Sequence, residues 1–156
     1  EQHVRNGFDM WESSTSENLW VEVSSPVDAD LTVKVESSSP QSTLATTTVF
    51  FNTGTTVINR AEMVVYTWAS IPEGDYAPTG AHEFGHAMGI GGHSSASLDI
   101  MYFTGNSSGL LTPSDLNTLR TIYCDFGSSS ALTGPRTRAK GVEVSETISC
   151  PANHTH

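Results

Sequence analysis

The chain contains 156 residues, of which 37% are hydrophobic and 15% charged, and its formal net charge is −10. This length accommodates one domain around a single hydrophobic core and excludes several domains within these residues. The acidic balance repels phosphate backbones and anionic membrane surfaces, and no run approaches the ~18 consecutive apolar residues of a membrane span. We therefore expect neither a nucleic-acid partner nor a membrane span.

Several features of the composition are typical of the secretory pathway. The chain has 21 serines and 19 threonines, and Asn106 and Asn153 each begin an acceptor triplet for glycosylation. Its first residues are neither basic nor strongly apolar, so they do not form a signal peptide. Cys124 and Cys150 suit an oxidising compartment, where they would most simply form a disulfide that ties back the tail. We predict a secreted, monomeric protein.

The first half of the sequence predicts one helix followed by a sheet. Val4, Phe8 and Trp11 recur at helical spacing, which predicts an amphipathic helix within residues 1–12. Short β-branched runs bounded by turn-forming residues then predict four strands, at residues 19–23, 31–35, 46–51 and 62–68.

The second half predicts two helices. The first covers residues 78–88 and stops at Gly89, because glycine readily adopts the left-handed conformation that ends helices. The second covers residues 112–123, where Thr112 supplies a capping hydroxyl, a proline follows, and Asp115 completes the capping pattern.

The composition changes after the second of these helices. Residues 127–141 are rich in Ser, Gly and basic residues, which favours a flexible segment, and residues 142–144 predict a short edge strand. We therefore divide the chain into a compact domain at residues 1–126 and a flexible segment and tail at residues 127–156. The order of elements predicts a mixed α/β fold.

Half of the six histidines lie within residues 82–93. On an α-helix, residues four positions apart are separated by about 40° around the axis and about 6 Å along it, so His82 and His86 can point at one tetrahedral metal ion. Glu83 lies beside this pair, where it could act as a general base on a zinc-bound water. A third ligand must come from outside the helix, and His93 is the nearest candidate.

This segment resembles the metzincin clan of zinc endopeptidases, most closely its matrixin-like branch. The clan motif is His-Glu-x-x-His-x-x-Gly-x-x-His followed by a methionine turn. Four residues match the motif in register, namely His82, Glu83, His86 and Gly89. Residues 99–102 resemble the methionine turn, with Met101 eight positions after His93. With further similarity at residues 8–11, 29–33 and 112–123, the resemblance covers most of residues 4–126.

Two departures from the family pattern are visible. The motif would place its third histidine at position 92, which is Gly92, so one residue is inserted before His93. Because the spacing from His93 to Met101 agrees with the family, we keep His93 as the third ligand and expect the glycines to absorb the insertion. Matrixin-like domains also open with a strand before their first helix, whereas this chain begins inside that helix. Either that strand was removed, or residues 142–148 fill its place in the sheet.

The resemblance implies a zincin-like fold, with a twisted mixed sheet, an active-site helix beneath it and a smaller part containing the methionine turn and one helix. Residues 62–67 would be the edge strand above the cleft, which either binds an extended peptide by strand addition or is an ordinary edge strand. Residues 103–111 would line the pocket for the side chain that follows the scissile bond.

Two further implications concern calcium and thiols. Many matrixins carry structural calcium, for which the candidate ligands are Asp28, Asp30, Asp75 and Asp99. No spaced calcium loop is present, so a solvated acidic surface is the simpler interpretation. In many matrixins a propeptide cysteine blocks the zinc, and Cys150 is a candidate for that role, but its neighbours do not match the inhibitory motif and the disulfide is favoured.

These observations predict a metalloendopeptidase that hydrolyses extended protein or peptide substrates. The resemblance implies zinc held by His82, His86 and His93, with Glu83 as the general base. The alternative is a catalytically inactive module that keeps zinc for folding and binds a protein partner. Glu83 favours the enzyme, because a purely structural zinc site does not require it.

Overall fold

The computed structural model describes residues 1–38, 43–54, 57–68, 72–104, 110–123 and 142–151. Its helices and strands are α1 (Gln2–Thr15), β1 (Leu31–Glu36), β2 (Thr43–Asn52), β3 (Ile58–Tyr66), α2 (Tyr76–Ala87), α3 (Pro113–Ile122) and β4 (Glu143–Pro151). The predicted mixed α/β class and the three predicted helices are confirmed. None of the described helices is long and apolar enough to cross a membrane.

Some predictions fall outside the described residues. The segment at residues 127–141 lies there, as do residues 105–109 of the predicted pocket wall and Cys124. The disulfide between Cys124 and Cys150 therefore stays a prediction.

The strands form one mixed sheet in the order β1-β3-β2-β4. Strands β1 and β3 run parallel, whereas β2 is antiparallel to both of its neighbours. The prediction that residues 62–67 form an edge strand is wrong, because β3 has a paired strand along each of its sides. An extended peptide therefore cannot add to β3, and β1 and β4 are the edges of the described sheet.

The tail contributes a longer strand than the predicted residues 142–144. Strand β4 pairs with β2 along its whole length, and the hydroxyls of Thr48 and Thr147 lie 2.7 Å apart across the two strands. Arg60 of β3 also reaches over β2 to Glu143, with 2.9 Å between the charged groups. Residues 143–148 therefore join the sheet beside β2, whereas the hypothesis that they replace the missing first strand stays a prediction.

Residues 19–23 do not form the predicted strand. The backbone N–H groups of Leu19 and Trp20 donate to Glu12 Oε1 near the end of α1, at 2.7 and 3.2 Å. The Trp20 ring packs edge-on against Phe8, and Val21 is 82% exposed. The β-branched run suggested a strand, but contacts with α1 hold this segment outside the sheet.

Helix α1 fixes α2 at close range. Gly7 leaves no room for a side chain at the crossing, since a Cβ there would lie 2.5 Å from the backbone nitrogen of Ala81. The fully buried Trp11 donates its Nε1–H to the Ala81 carbonyl at 2.8 Å, and Phe8 stacks on Phe84. Helix α2 is thereby held between α1 and strands β2 and β3.

Candidate metal centre

Helix α2 carries two histidines one turn apart and ends where the sequence predicts. Gly89 has a φ of 104°, in the left-handed region, and its N–H donates to the His86 carbonyl. The N–H of Ile90 donates to the Gly85 carbonyl, which completes the turn. His82 and His86 are both buried, with 4% and 0% of their surfaces exposed.

The structure brings His82, His86 and His93 together, as the motif predicts. The Nε2 atom of His86 lies 3.0 Å from that of His82 and 3.3 Å from that of His93. Nitrogens that bind one tetrahedral zinc ion lie about 3.3–3.4 Å apart, so the spacing fits a metal-binding group. In the described ranges, no other group of three or more His, Cys, Asp or Glu side chains is arranged to hold an ion.

Backbone carbonyls fix the tautomers of the two buried histidines. The Nδ1 atom of His82 lies 2.6 Å from the Ile100 carbonyl oxygen, and that of His86 lies 2.6 Å from the Ile90 carbonyl oxygen. Because a carbonyl only accepts, both Nδ1 atoms carry the proton, and the lone pair of each neutral ring lies on Nε2. Two lone pairs brought to 3.0 Å repel each other, whereas a cation shared between them would be stabilised.

Burial keeps these imidazoles neutral. Desolvation, reinforced by the neighbouring His86, lowers the pKa of His82 from 6.5 to about 3. Desolvation also lowers the pKa of His86 to about 4, and it lowers the pKa of His93. Neutral imidazole is the form that binds metals, so the cluster can accept an ion in neutral and mildly acidic solution.

The residue inserted before His93 does not move the His93 side chain away from the other two histidines. Gly91 and Gly92 are exposed, and a Cβ on either would meet nothing within 4 Å. The chain therefore has open space in which to absorb the extra residue, as expected from the sequence. His93 is exposed whereas its two partners are buried, so the cluster opens to solvent on the side of His93.

Glu83, the predicted general base, lies on α2 and has no exposed surface. Burying a carboxylate is costly unless polar groups compensate. The Thr47 hydroxyl on β2 donates to Glu83 Oε2 and so provides one such group. Sequence reasoning missed Thr47, because nothing in the sequence distinguishes it from the threonines on either side.

The predicted methionine turn at residues 99–102 packs against α2. Met101 is buried, and a Cβ added to Gly85 would collide with its sulfur. Asp115 of α3 holds the turn from the other side, since its carboxylate accepts from the backbone N–H groups of Ile100 at 2.9 Å and Met101 at 3.2 Å. The capping pattern identified Asp115 in the sequence, but not this second, long-range contact.

Asp99 stabilises the loop that leads from His93 to the turn. Its carboxylate accepts from the hydroxyls of Ser94 and Thr112, each at 2.6 Å, and these hydrogen bonds lower its pKa. Asp99 was one of the four candidate calcium ligands. Within the described residues, these aspartates form no cluster that could hold an ion.

The fold and this cluster define a mixed α/β protein with a three-histidine group that could hold a metal ion. Imidazole suits zinc, copper, iron and nickel alike, so the donor set alone does not fix the ion. Comparison with protein-family models, with curated proteins and with solved structures gives no match.

Proposed function

We propose that this protein is a zinc-dependent endopeptidase with a zincin-like fold, related to the matrixin-like metzincins. The observation that carries the proposal is the convergence of three histidines, two of which lie on the same helix as the buried Glu83. The match of residues 82–89 to the clan motif and the turn around Met101 support the same assignment.

His82, His86 and His93 would hold the zinc ion, which supplies a Lewis acid that polarises a peptide carbonyl and lowers the pKa of water. Three protein ligands are typical of catalytic zinc sites, which keep one position open, whereas structural sites use four. The exposure of His93 supports access of a substrate from solvent.

Glu83 would take a proton from the attacking water and deliver it to the leaving amine nitrogen. The peptide bond would then break by direct attack of water, with no covalent enzyme intermediate. A carboxylate without solvent contact is well suited to this role, because low dielectric strengthens its interactions with developing positive charge.

The test is hydrolysis of a mixed peptide pool by the zinc-loaded protein beside Glu83→Ala, with new termini read by mass spectrometry. We expect the unmodified protein to cleave and Glu83→Ala to cleave at least about 100-fold more slowly, because it lacks the base. Metal analysis should find one zinc ion per chain in both proteins. The matched control is Glu73→Ala, which replaces an exposed glutamate near the start of α2. This variant should cleave like the unmodified protein.

Two results would contradict the proposal. If both proteins hold zinc and neither cleaves any peptide, the inactive zinc-stabilised binding module replaces the enzyme. If His93→Ala binds zinc as tightly as the unmodified protein, the three-histidine ligand set is wrong.

A further inference from the structure

Thr47 makes a contact that the histidine motif does not contain. It lies near the middle of β2 on the face that packs on α2, and it has no exposed surface. Its hydroxyl donates to Glu83 Oε2, and the Thr47 hydroxyl oxygen lies 3.3 Å from the backbone carbonyl oxygen of Glu83. One side chain of the sheet therefore touches both the carboxylate and the backbone of the predicted base.

The surroundings of Thr47 hold its hydroxyl in place. In the ladders of the sheet, Thr47 pairs with Met63 of β3 on one side and with Ile148 of β4 on the other. A residue paired on both sides has little backbone freedom, and a fully buried hydroxyl is shielded from competition by water. The carboxylate therefore receives its hydrogen bond from a rigid and dry donor.

We propose that Thr47 is a positioning residue that holds the Glu83 carboxylate in the orientation needed for proton transfer. The inference rests on the proposed endopeptidase function. A glutamate side chain has three rotatable bonds, and a general base must meet its proton at hydrogen-bond distance in a suitable direction. Fixing one carboxylate oxygen from the sheet restricts those rotations without requiring Thr47 to touch the substrate.

Three variants separate positioning from packing. Thr47→Val removes the hydroxyl but keeps the shape, and valine is favoured in strands. Thr47→Ser keeps the hydroxyl. Thr48→Val is the matched control, because Thr48 lies next on the same strand and its hydroxyl contacts Thr147 of β4. Steady-state kinetics would use the peptide that the unmodified protein cleaves fastest.

We expect Thr47→Val to lower kcat about 10-fold or more while KM stays within about twofold, because positioning contacts act on the chemical step. Thr47→Ser should restore most of kcat, and Thr48→Val should match the unmodified protein. Zinc content should be equal in all four proteins.

A second measurement is independent of catalysis. Urea unfolding of the metal-free protein should show that Thr47→Val lowers the midpoint in the presence of Glu83 and has a smaller effect in the Glu83→Ala background, because the contacting partner is then absent.

The outcomes distinguish the two claims. If the unmodified protein cleaves and Thr47→Val has an unchanged kcat, or if Thr47→Ser loses as much activity as Thr47→Val, the positioning role is overturned and the proposed function stands. Equal midpoint changes in both Glu83 backgrounds would also overturn the positioning role. If the unmodified protein holds zinc and cleaves nothing, the proposed function falls and the positioning role falls with it.

Discussion

Asp115 links the first turn of α3 to His82, the first histidine of the cluster. Its carboxylate accepts from the Thr112 N–H at 2.8 Å within the capping box of α3, and also from the N–H groups of Ile100 and Met101. The Ile100 carbonyl in turn accepts from His82 Nδ1. A continuous series of hydrogen bonds therefore runs from α3 through the turn to the imidazole of His82.

Replacing this carboxylate should affect both stability and metal binding. In Asp115→Asn, an NH₂ group would face N–H donors that need an acceptor, and we expect the free energy of unfolding to fall by about 1–3 kcal/mol. Metal affinity should fall about 10-fold, because the Ile100 carbonyl no longer orients His82 as firmly. Urea unfolding and metal titration measure the two effects. Thr118→Ala, on the exposed side of α3, should change neither, and unchanged metal affinity in Asp115→Asn would refute the link.

Residues that act through local spacing could be predicted from the sequence, whereas those that act through tertiary contacts could not. The separation of His82 and His86 follows from one helical turn. Thr47 lies between two other threonines, and only its inward direction in the strand sets it apart, because Thr46 and Thr48 are partly exposed. The importance of Thr47 depends on which face of β2 packs on α2, and the sequence does not contain that information explicitly.

At the level of secondary structure, the helices were predicted well because their signals are local. Thr112 and Asp115 form the capping box that the sequence indicated, and Gly89 ends α2. The position of β3 within the sheet was predicted wrongly, as an edge, since strand order depends on pairings between distant segments. Residues 19–23 show the same limit, because Glu12 captures N–H groups that a strand would have used.

The crossing of α1 and α2 provides a test of how closely these helices must pack. Alanine is more favourable than glycine within a helix by about 1 kcal/mol, so helix propensity alone predicts that Gly7→Ala stabilises α1. The added Cβ would, however, collide with backbone atoms of α2, including Ala81 N at 2.5 Å. Since backbone cannot move aside as a flexible side chain can, we expect a net loss of about 1–3 kcal/mol in thermal or urea unfolding.

A glycine in open space is the control for this substitution. Gly74 precedes α2, and a Cβ there would meet nothing within 4 Å, so Gly74→Ala should change stability by less than about 0.5 kcal/mol. If the Gly7→Ala variant proves as stable as the unmodified protein, the two helices can separate at little cost in free energy.

For the whole molecule, the important contrast is between an acidic chain and a cluster of neutral imidazoles that could hold a metal ion. The net charge is −10, yet the three clustered side chains are imidazoles whose pKa values are lowered mainly by desolvation. Folding therefore buries imidazoles in an environment that disfavours their protonated, charged form. The metal-free protein must lose stability wherever the unfolded chain binds those protons and the folded chain does not.

The window for this loss follows from the pKa values. The pKa values of His82 and His86 are about 3 and 4 when folded, against 6.5 as the ordinary value, so the unfolded state binds more protons between about pH 6.5 and pH 4. Above pH 6.5 both states are neutral and the effect vanishes. As the pH falls through the window, the free energy of unfolding should decrease, by at most about 1.4 kcal/mol per pH unit for each histidine.

Urea unfolding of metal-free protein at half-unit steps from pH 7.5 to pH 4 measures this slope. The double variant His82→Gln/His86→Gln should show a clearly shallower slope across the same range, because two of the responsible groups are gone. Asp99, whose pKa is also lowered, begins to lose its stabilising effect near the acidic end of this range, but it is present in both proteins and therefore does not alter the difference between their slopes. Equal slopes in the unmodified protein and the double variant would show that the two histidines are not desolvated as described, and a pre-formed, neutral metal centre would no longer be tenable.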